Sequence, residues 1–209
     1  MKEKSSRKGF TLIEMLLVIG IITVLVGASL AGFSKIRATA ERAKVQELVS
    51  NTATALAALY QKEGSWPRRL AANGATDGVL DARAAYPLAK GGYLSLTLSE
   101  DGTALDGLDK FGVADPWATA LIKRRGRGAS ESDIVNGKYT VRDHLLHYAL
   151  DMDGDGIVDG ASVGGETVSV RASAIVWCAG KDGKMEAYSV GRRKDDVYSW
   201  TPGMARKAD

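Results

Sequence analysis

The residues Asp151-Met152-Asp153-Gly154-Asp155-Gly156-Ile157-Val158-Asp159 place four carboxylates in nine positions, spaced D-x-D-x-D-G-x-x-D. Alternate Asp side chains in a turn converge on one point, and Gly156 permits the sharp bend such a loop needs. Carboxylates this close repel one another. Hard oxygen donors at that density suit Ca²⁺, so Asp151, Asp153, Asp155 and Asp159 are the expected calcium ligands. The competing reading is a plain Asp/Gly turn between two strands. A second group of interest is Glu14, the one charge in the segment from Phe10 to Phe33. A carboxylate within hydrocarbon costs about 2.5 kcal/mol or more toward the bilayer centre, so this acid asks for a cationic partner. His144 and His147, beside Asp143, stand three residues apart. On a strand they point to opposite faces, and only a helix would bring them together. With Cys178 they make at best a weak transition-metal set. Core or surface histidines are the preferred reading, and Cys178, within Ile175-Val176-Trp177-Cys178, reads as a small buried residue. No Ser/His/Asp pattern, phosphate loop or nucleotide fingerprint stands out, and no enzyme is expected.

The elements that must position these groups follow from composition and periodicity. A chain of 209 residues makes one domain, or two. Its 45% hydrophobic and 25% charged content excludes wholesale disorder. One Cys excludes an internal disulfide framework and a multi-Cys zinc site. The net charge of +3 is too small for a nucleic-acid binder, and it is confined to residues 1–9. Those hold Lys2, Lys4, Arg7 and Lys8 against Glu3, and removing them leaves 24 bases and 24 acids. From Met15 to Phe33 there is no charge at all, a run that as a helix spans roughly 29 Å, one hydrocarbon core. The basic leader predicts a cytoplasmic N-terminus with the rest of the chain across the membrane. A cleaved secretory signal would have a shorter apolar core, and a plain single-span anchor leaves Glu14 unexplained.

Lys8-Gly9-Phe10-Thr11-Leu12-Ile13-Glu14 resembles the processing site of type IV prepilins and type II secretion pseudopilins. The resemblance implies that a membrane prepilin peptidase cuts between Gly9 and Phe10 and methylates the new N-terminus at Phe10. It also implies that Glu14, fifth in the mature chain, pairs with the N-terminal ammonium of a neighbouring subunit during assembly. Opposite charges in a low dielectric stabilise each other, and each is costly alone. The implied role is structural: a type II secretion pseudopilus subunit forming a helical fibre that aids protein export. Its implied partners are further copies of itself, minor pseudopilins, the peptidase, an inner-membrane assembly platform and membrane lipid. The implied location is the bacterial inner membrane, single-pass, with a periplasmic head. The alternatives are a type IV pilin for adhesion, motility or DNA uptake, and an anchored calcium-binding module that never polymerises.

Beyond Phe33 the apolar residues recur at three- and four-residue steps. One set is Ile36, Ala40 and Ala43, with Glu47 on the same face, and another is Val45, Leu48/Val49, Thr52, Leu56 and Leu59. The first Pro after Phe10 is Pro67, and Gly64 is the expected C-cap. This predicts one helix from about Phe10 to Glu63, roughly 80 Å long. The organisation expected is a leader (1–9), a transmembrane half-helix (10–33), an amphipathic half-helix (34–64) and a globular head (65–209). The fold class expected is α+β, a long spine helix packed on a small antiparallel β-sheet.

Tyr60 through Pro67 and Asp115-Pro116-Trp117 also resemble that family, the second with Ala118 where major pseudopilins carry Gly. By the same resemblance, Ala179–Lys184 and Asp195–Trp200 look like the C-terminal region that contributes a calcium site, making Asp182, Asp195 and Asp196 secondary candidates. The 151–159 loop matches positions one, three, five, six and nine of an EF-hand loop, but position twelve is Ser162. It is therefore closer to a dockerin- or thrombospondin-like calcium loop set between strands. Ala82–Lys90 reads as a short helix. Tyr93–Leu98, Tyr139–Val141, Leu145–Leu150, Val168–Ala179 and Met185–Val190 read as strands, with Lys181–Lys184 turning between the last two. The basic stretch 123–133 reads as a surface loop.

Overall fold

The long apolar and amphipathic pattern forms helix α1 (Leu12–Glu63). In the computed structural model, residues 11–106, 109–118, 141–185, 195–201 and 205–207 are described, without the side chains of 28–32, 34, 35, 141, 142 and 205–207. The chain divides into two units, Met1–Glu41 and Arg42–Asp209. In the first unit the helix exposes its apolar residues; Leu12, Leu16, Ile19 and Val24 are each more than 60% accessible. Among the described residues, no helix is long and apolar enough to cross a membrane. The described side chains of the expected 10–33 span are 11–27 and Phe33, fewer than the ~20 consecutive residues a span takes.

In the second unit, α1 buries one stripe: Val45, Val49, Thr52, Ala55, Leu56 and Leu59. These recur at helical spacing, as the sequence predicts, while Ile36 in the first unit stays exposed. Gly64, with φ 70°, ends the helix, and its N–H donates to Tyr60 O. Short α2 (Arg68–Ala71) follows Pro67, and α3 (Ala82–Lys90) is capped by Asp81, which accepts from Ala84 N.

The strands are β1 (Gly78–Val79), β2 (His147–Leu150), β3 (Val158–Val163), β4 (Glu166–Val170), β5 (Ala174–Cys178), β6 (Val197–Tyr198) and β7 (Ala205–Lys207). They form two antiparallel sheets, ordered β1-β2-β5-β6 and β3-β4-β7. Strand alternation explains the layering. Tyr148, Leu150, Val176 and Cys178 join Val45, Val49, Leu56 and Leu59 of α1 in one core. Ala149, Ile175 and Trp177 face the other way, onto Val158, Ala161, Val163, Val168 and Val170 of the second sheet. The first sheet is thus covered on both faces, which is why Ala174–Cys178 is apolar throughout.

The fold is α+β as expected, with differences in detail. Among the described residues there are two sheets, not one. Val168–Ala179 does not run as a single strand; it bends at Arg171–Ser173 and sends its two parts to different sheets. Val158–Val163, whose first two residues fall in the expected 151–159 loop, is a strand. Tyr93–Leu98 is not one. Its backbone is satisfied locally, by Tyr93 N donating to Leu88 O and Thr97 N to Asp109 Oδ2, with a single bridge between Leu98 and Leu105. Val141 belongs to a 3-10 turn (Val141–His144), and Leu145 pairs only by a bridge to Ala114 ahead of β2. A turn does follow Gly180, and β5 pairs with β2 on one side and β6 on the other; the expected return strand after Met185 lies outside the described residues. Gly9, Phe10, the 123–133 stretch, Tyr139 and residues 186–190 lie outside the described residues.

Candidate functional site: an acidic loop on the helix end

The loop that leaves β2 begins at Asp151, which is buried although ionisable. Its side chain organises the turn: Oδ1 accepts from Gly154 N at 2.7 Å and Oδ2 from Gly156 N at 2.8 Å. Gly154 and Gly156 sit at φ 81° and 84°, in the left-handed region where an L side chain is strained. Two such glycines let the chain fold around the Asp151 carboxylate. Asp155 Oδ1 accepts from Ile157 N at 2.8 Å. Asp151, Asp153 and Asp155 each bring a carboxylate oxygen within 4.8 Å of the others. Oxygens bound to one Ca²⁺ at ~2.3–2.6 Å lie no more than about 5 Å apart, so the spacing is compatible with a shared cation.

Asp159 does not join them. It is exposed on β3, where the pairing with β4 slips between Val158 and Ala161, and it lines one cavity with Met152, Asp153 and Ile157. Of the four ligands expected from D-x-D-x-D-G-x-x-D, three are thus grouped within ligand distance of one another. Among the described residues, the secondary candidates Asp182, Asp195 and Asp196 engage local hydrogen bonds. Asp195 Oδ2 accepts from Lys181 N and Asp182 N, Asp182 Oδ1 from Lys184 N, and Asp196 Oδ2 from the Tyr198 hydroxyl. These carboxylates tie a turn to its neighbouring strand.

The acidic loop rests on the end of α1. Trp66 Nε1–H donates to Asp151 O at 2.6 Å, and the Trp66 ring stacks on Tyr60 at 4.6 Å between centroids. An atom added at Gly154 would lie 3.4 Å from the Tyr60 hydroxyl. The Tyr-Gly-Trp-Pro segment at the helix end thus seats the loop, a role for Trp66 that its spacing from Asp151 does not reveal.

At the other end of α1, Glu14 has a local role that the T-x-x-E spacing announces. Thr11 N and Thr11 Oγ1 both donate to Glu14 Oε2 at 2.8 Å, a capping box at the first turn. The histidines separate. His144 Nδ1 lies 3.0 Å from Asp115 Oδ2 in the interior, while His147 Nδ1 lies 2.6 Å from Asp77 Oδ1 nearer the surface. Cys178 is buried on β5. Among the described residues, no group of metal-ligating side chains includes any of the three.

Two comparisons bear on this arrangement. Residues 4–30 match the family model described as a prokaryotic N-terminal methylation motif. The chain is 30% identical over 122 residues to the fimbrial protein EcpC of Eikenella corrodens, a match that takes in 50% of this chain and 80% of that one. No solved structure matches significantly. The prepilin-type N-terminus, the α+β architecture and a relative covered over most of its length agree, and the chain belongs to the type IV prepilin family of pilin-like filament subunits.

Proposed function

We propose that the protein is the structural subunit of a type II secretion pseudopilus. The precursor waits in the inner membrane, anchored by residues 10–33 with the leader in the cytoplasm. Cleavage after Gly9 frees Phe10 for N-methylation, and Glu14 pairs with the ammonium of a neighbouring subunit as the chain enters the fibre. Copies of itself, minor pseudopilins, the peptidase and an assembly platform are its partners. The observation that carries the assembly reading is Glu14 beside a helix whose apolar side chains from Leu12 to Val26 are all exposed. Such a surface costs about 25 cal/mol per Å² when left in water, and neighbouring helices or lipid remove that cost. The Asp115-Pro116-Trp117 resemblance favours the secretion pseudopilus. The likeness to a fimbrial protein favours the second reading, a type IV pilin. Neighbouring secretin genes, as opposed to twitching-motility genes, would separate the two. In either case no enzymatic activity is proposed.

The acidic loop is proposed to take calcium through Asp151, Asp153 and Asp155, ordering the head before assembly. What supports this is the convergence of three carboxylates on a loop already wrapped around one of them.

The deciding experiment is the intact mass and N-terminal sequence of the protein from its native membrane, with a Glu14→Ala strain in parallel. The expected result is a chain starting at N-methylated Phe10, and fibres lost in Glu14→Ala. A chain starting at Met1 in cells with active peptidase, or normal fibres from Glu14→Ala, would reject the assembly reading.

A further inference from the structure

Two features of the head are complementary, a hollow and a projection. The hollow is a groove of about 610 Å³ between α1 and the chain that leaves α3. Leu48 and Ala55 of α1, with Leu94, Leu96 and Val113, give it an apolar lining, and Tyr93 also lines it. Tyr93 N and Leu94 N both donate to Leu88 O, which ties this segment to α3. A side chain at Gly91 would collide with the Tyr93 ring, so glycine there lets the ring take its place. The Tyr93 hydroxyl is buried and has no hydrogen-bond partner among the described residues. Buried hydroxyls are normally paired, and an acceptor brought into the groove would pair this one. Lys62 Nζ stands 5.7 Å from the centre of the same ring.

The projection is Met152. Among the described residues of the unit Arg42–Asp209, it is the one large apolar side chain left exposed, at 48%. It sits in the acidic loop, whose residues 151–159 include four acids and no base. Four carboxylates keep that loop negative even with one divalent cation bound. The loop and the groove share no residue.

We propose that these two surfaces meet between copies: Met152 of one subunit enters the groove of the next, where the Tyr93 hydroxyl donates to a carbonyl of the incoming loop and Lys62 faces its acids. This contact rests on the filament reading and names the surfaces through which the heads touch. Methionine is flexible and fills irregular hollows, and burying it with the groove lining removes apolar surface from water. Lys62 and the loop are opposite in sign, which steers the approach and fixes its register. The contact joins two different patches, so it is heterologous. Repeated from copy to copy, such a contact propagates as an open helical assembly, whereas a self-complementary patch would stop at a pair.

The test uses full-length chains in native membranes. Asn51, exposed on the α1 side of the groove, and Met152 are each replaced by Cys in separately tagged chains, which are co-expressed and treated with a short bismaleimide. The expected product is a cross-linked pair carrying both tags. Either variant expressed alone should give none, and the wild type should give none because Cys178 is buried. Met152→Asp should lower fibre yield by about tenfold, the loss of a buried anchor, in chains that still start at Phe10. Tyr93→Phe separates the contact from a packing role. An unpaired buried hydroxyl is dispensable to the fold, whereas one that donates across an interface is not, so fibre yield should fall several-fold. Absence of the mixed pair, Asn51→Cys chains linked to each other or to a different protein, or unchanged fibre yield in Met152→Asp or Tyr93→Phe overturns the contact. Wild-type fibres formed under any of those outcomes leave the filament reading standing. A wild-type chain that starts at Met1 and forms no fibres rejects both.

Discussion

A side chain's chemistry here is set by what the fold packs around it. Cys178 shows this most simply. Its neighbours Ile175, Val176 and Trp177 are buried with it, and desolvation raises its pKa to about 12 despite backbone hydrogen bonds that favour the thiolate. The thiolate is the reactive form, so the native protein should resist iodoacetamide at pH 8 and become labelled only after unfolding. Rapid native-state labelling, followed by intact mass, would show that β5 opens far more readily than its burial implies. Glu14 makes the complementary point. Its T-x-x-E spacing is readable from sequence as a capping box, yet the unusual feature of an acid in an apolar run draws attention to partners outside the chain. The two roles coexist: one carboxylate has acceptor positions for the Thr11 groups and for a further donor.

Among the elements, α1 carries the clearest energetic asymmetry. Leu56 is fully buried against the first sheet, whereas Ile36 is 68% exposed. Leu56→Ala should cost about 2–5 kcal/mol by lost transfer energy and a residual cavity. Ile36→Ala should change stability by no more than about 0.5 kcal/mol. Urea unfolding of the detergent-solubilised chain measures both, and equal effects would mean the stripe at Val45, Val49 and Leu56 is not the packing face. That stripe was legible because a helix repeats every 3.6 residues and the buried positions follow it. So was Gly64 as the stop. The split of Val168–Ala179 was not legible, since Arg171-Ala172-Ser173 contains neither Gly nor Pro and the strand divides only because its halves serve different layers. The acidic loop was readable for Asp151, Asp153 and Asp155, where local chain reversal governs. Asp159 falls where the β3–β4 register slips between Val158 and Ala161, an irregularity that the Asp/Gly spacing does not announce. His144 and Asp115 are 29 positions apart, and tertiary packing alone makes them a pair.

At the scale of the whole molecule, a filament subunit must be soluble enough to fold its head and sticky enough to polymerise. Charge distribution serves the first need: beyond residues 1–9 the chain is formally neutral, so local clusters rather than net charge govern the head's electrostatics. The acidic loop is the densest such cluster, and it lies between β2 and β3, which belong to different sheets. A cation held there would join the two layers through the chain segment that connects them, and through Trp66 would engage the end of α1. Linkage gives the expected size. A ligand at a hundredfold excess over its Kd stabilises the folded state by about 2.7 kcal/mol. For a protein of this length that is a rise in Tm of roughly 5–10 °C. Calcium should therefore raise the Tm of the full chain in detergent, a chelator should reverse the rise, and magnesium should do little because it gives up its waters reluctantly. Asp153→Asn and Asp155→Asn are the informative variants, because both side chains are exposed and an Asn keeps the Oδ1 acceptor that Asp153 offers to Asp155 N and Asp155 to Ile157 N. Each should abolish the calcium response while leaving the chelated Tm equal to or slightly above wild type, since removing a like charge relieves repulsion. A calcium shift that survives in both variants would put the cation elsewhere, and no shift in wild type would leave the loop as a turn whose carboxylates serve only to fold it.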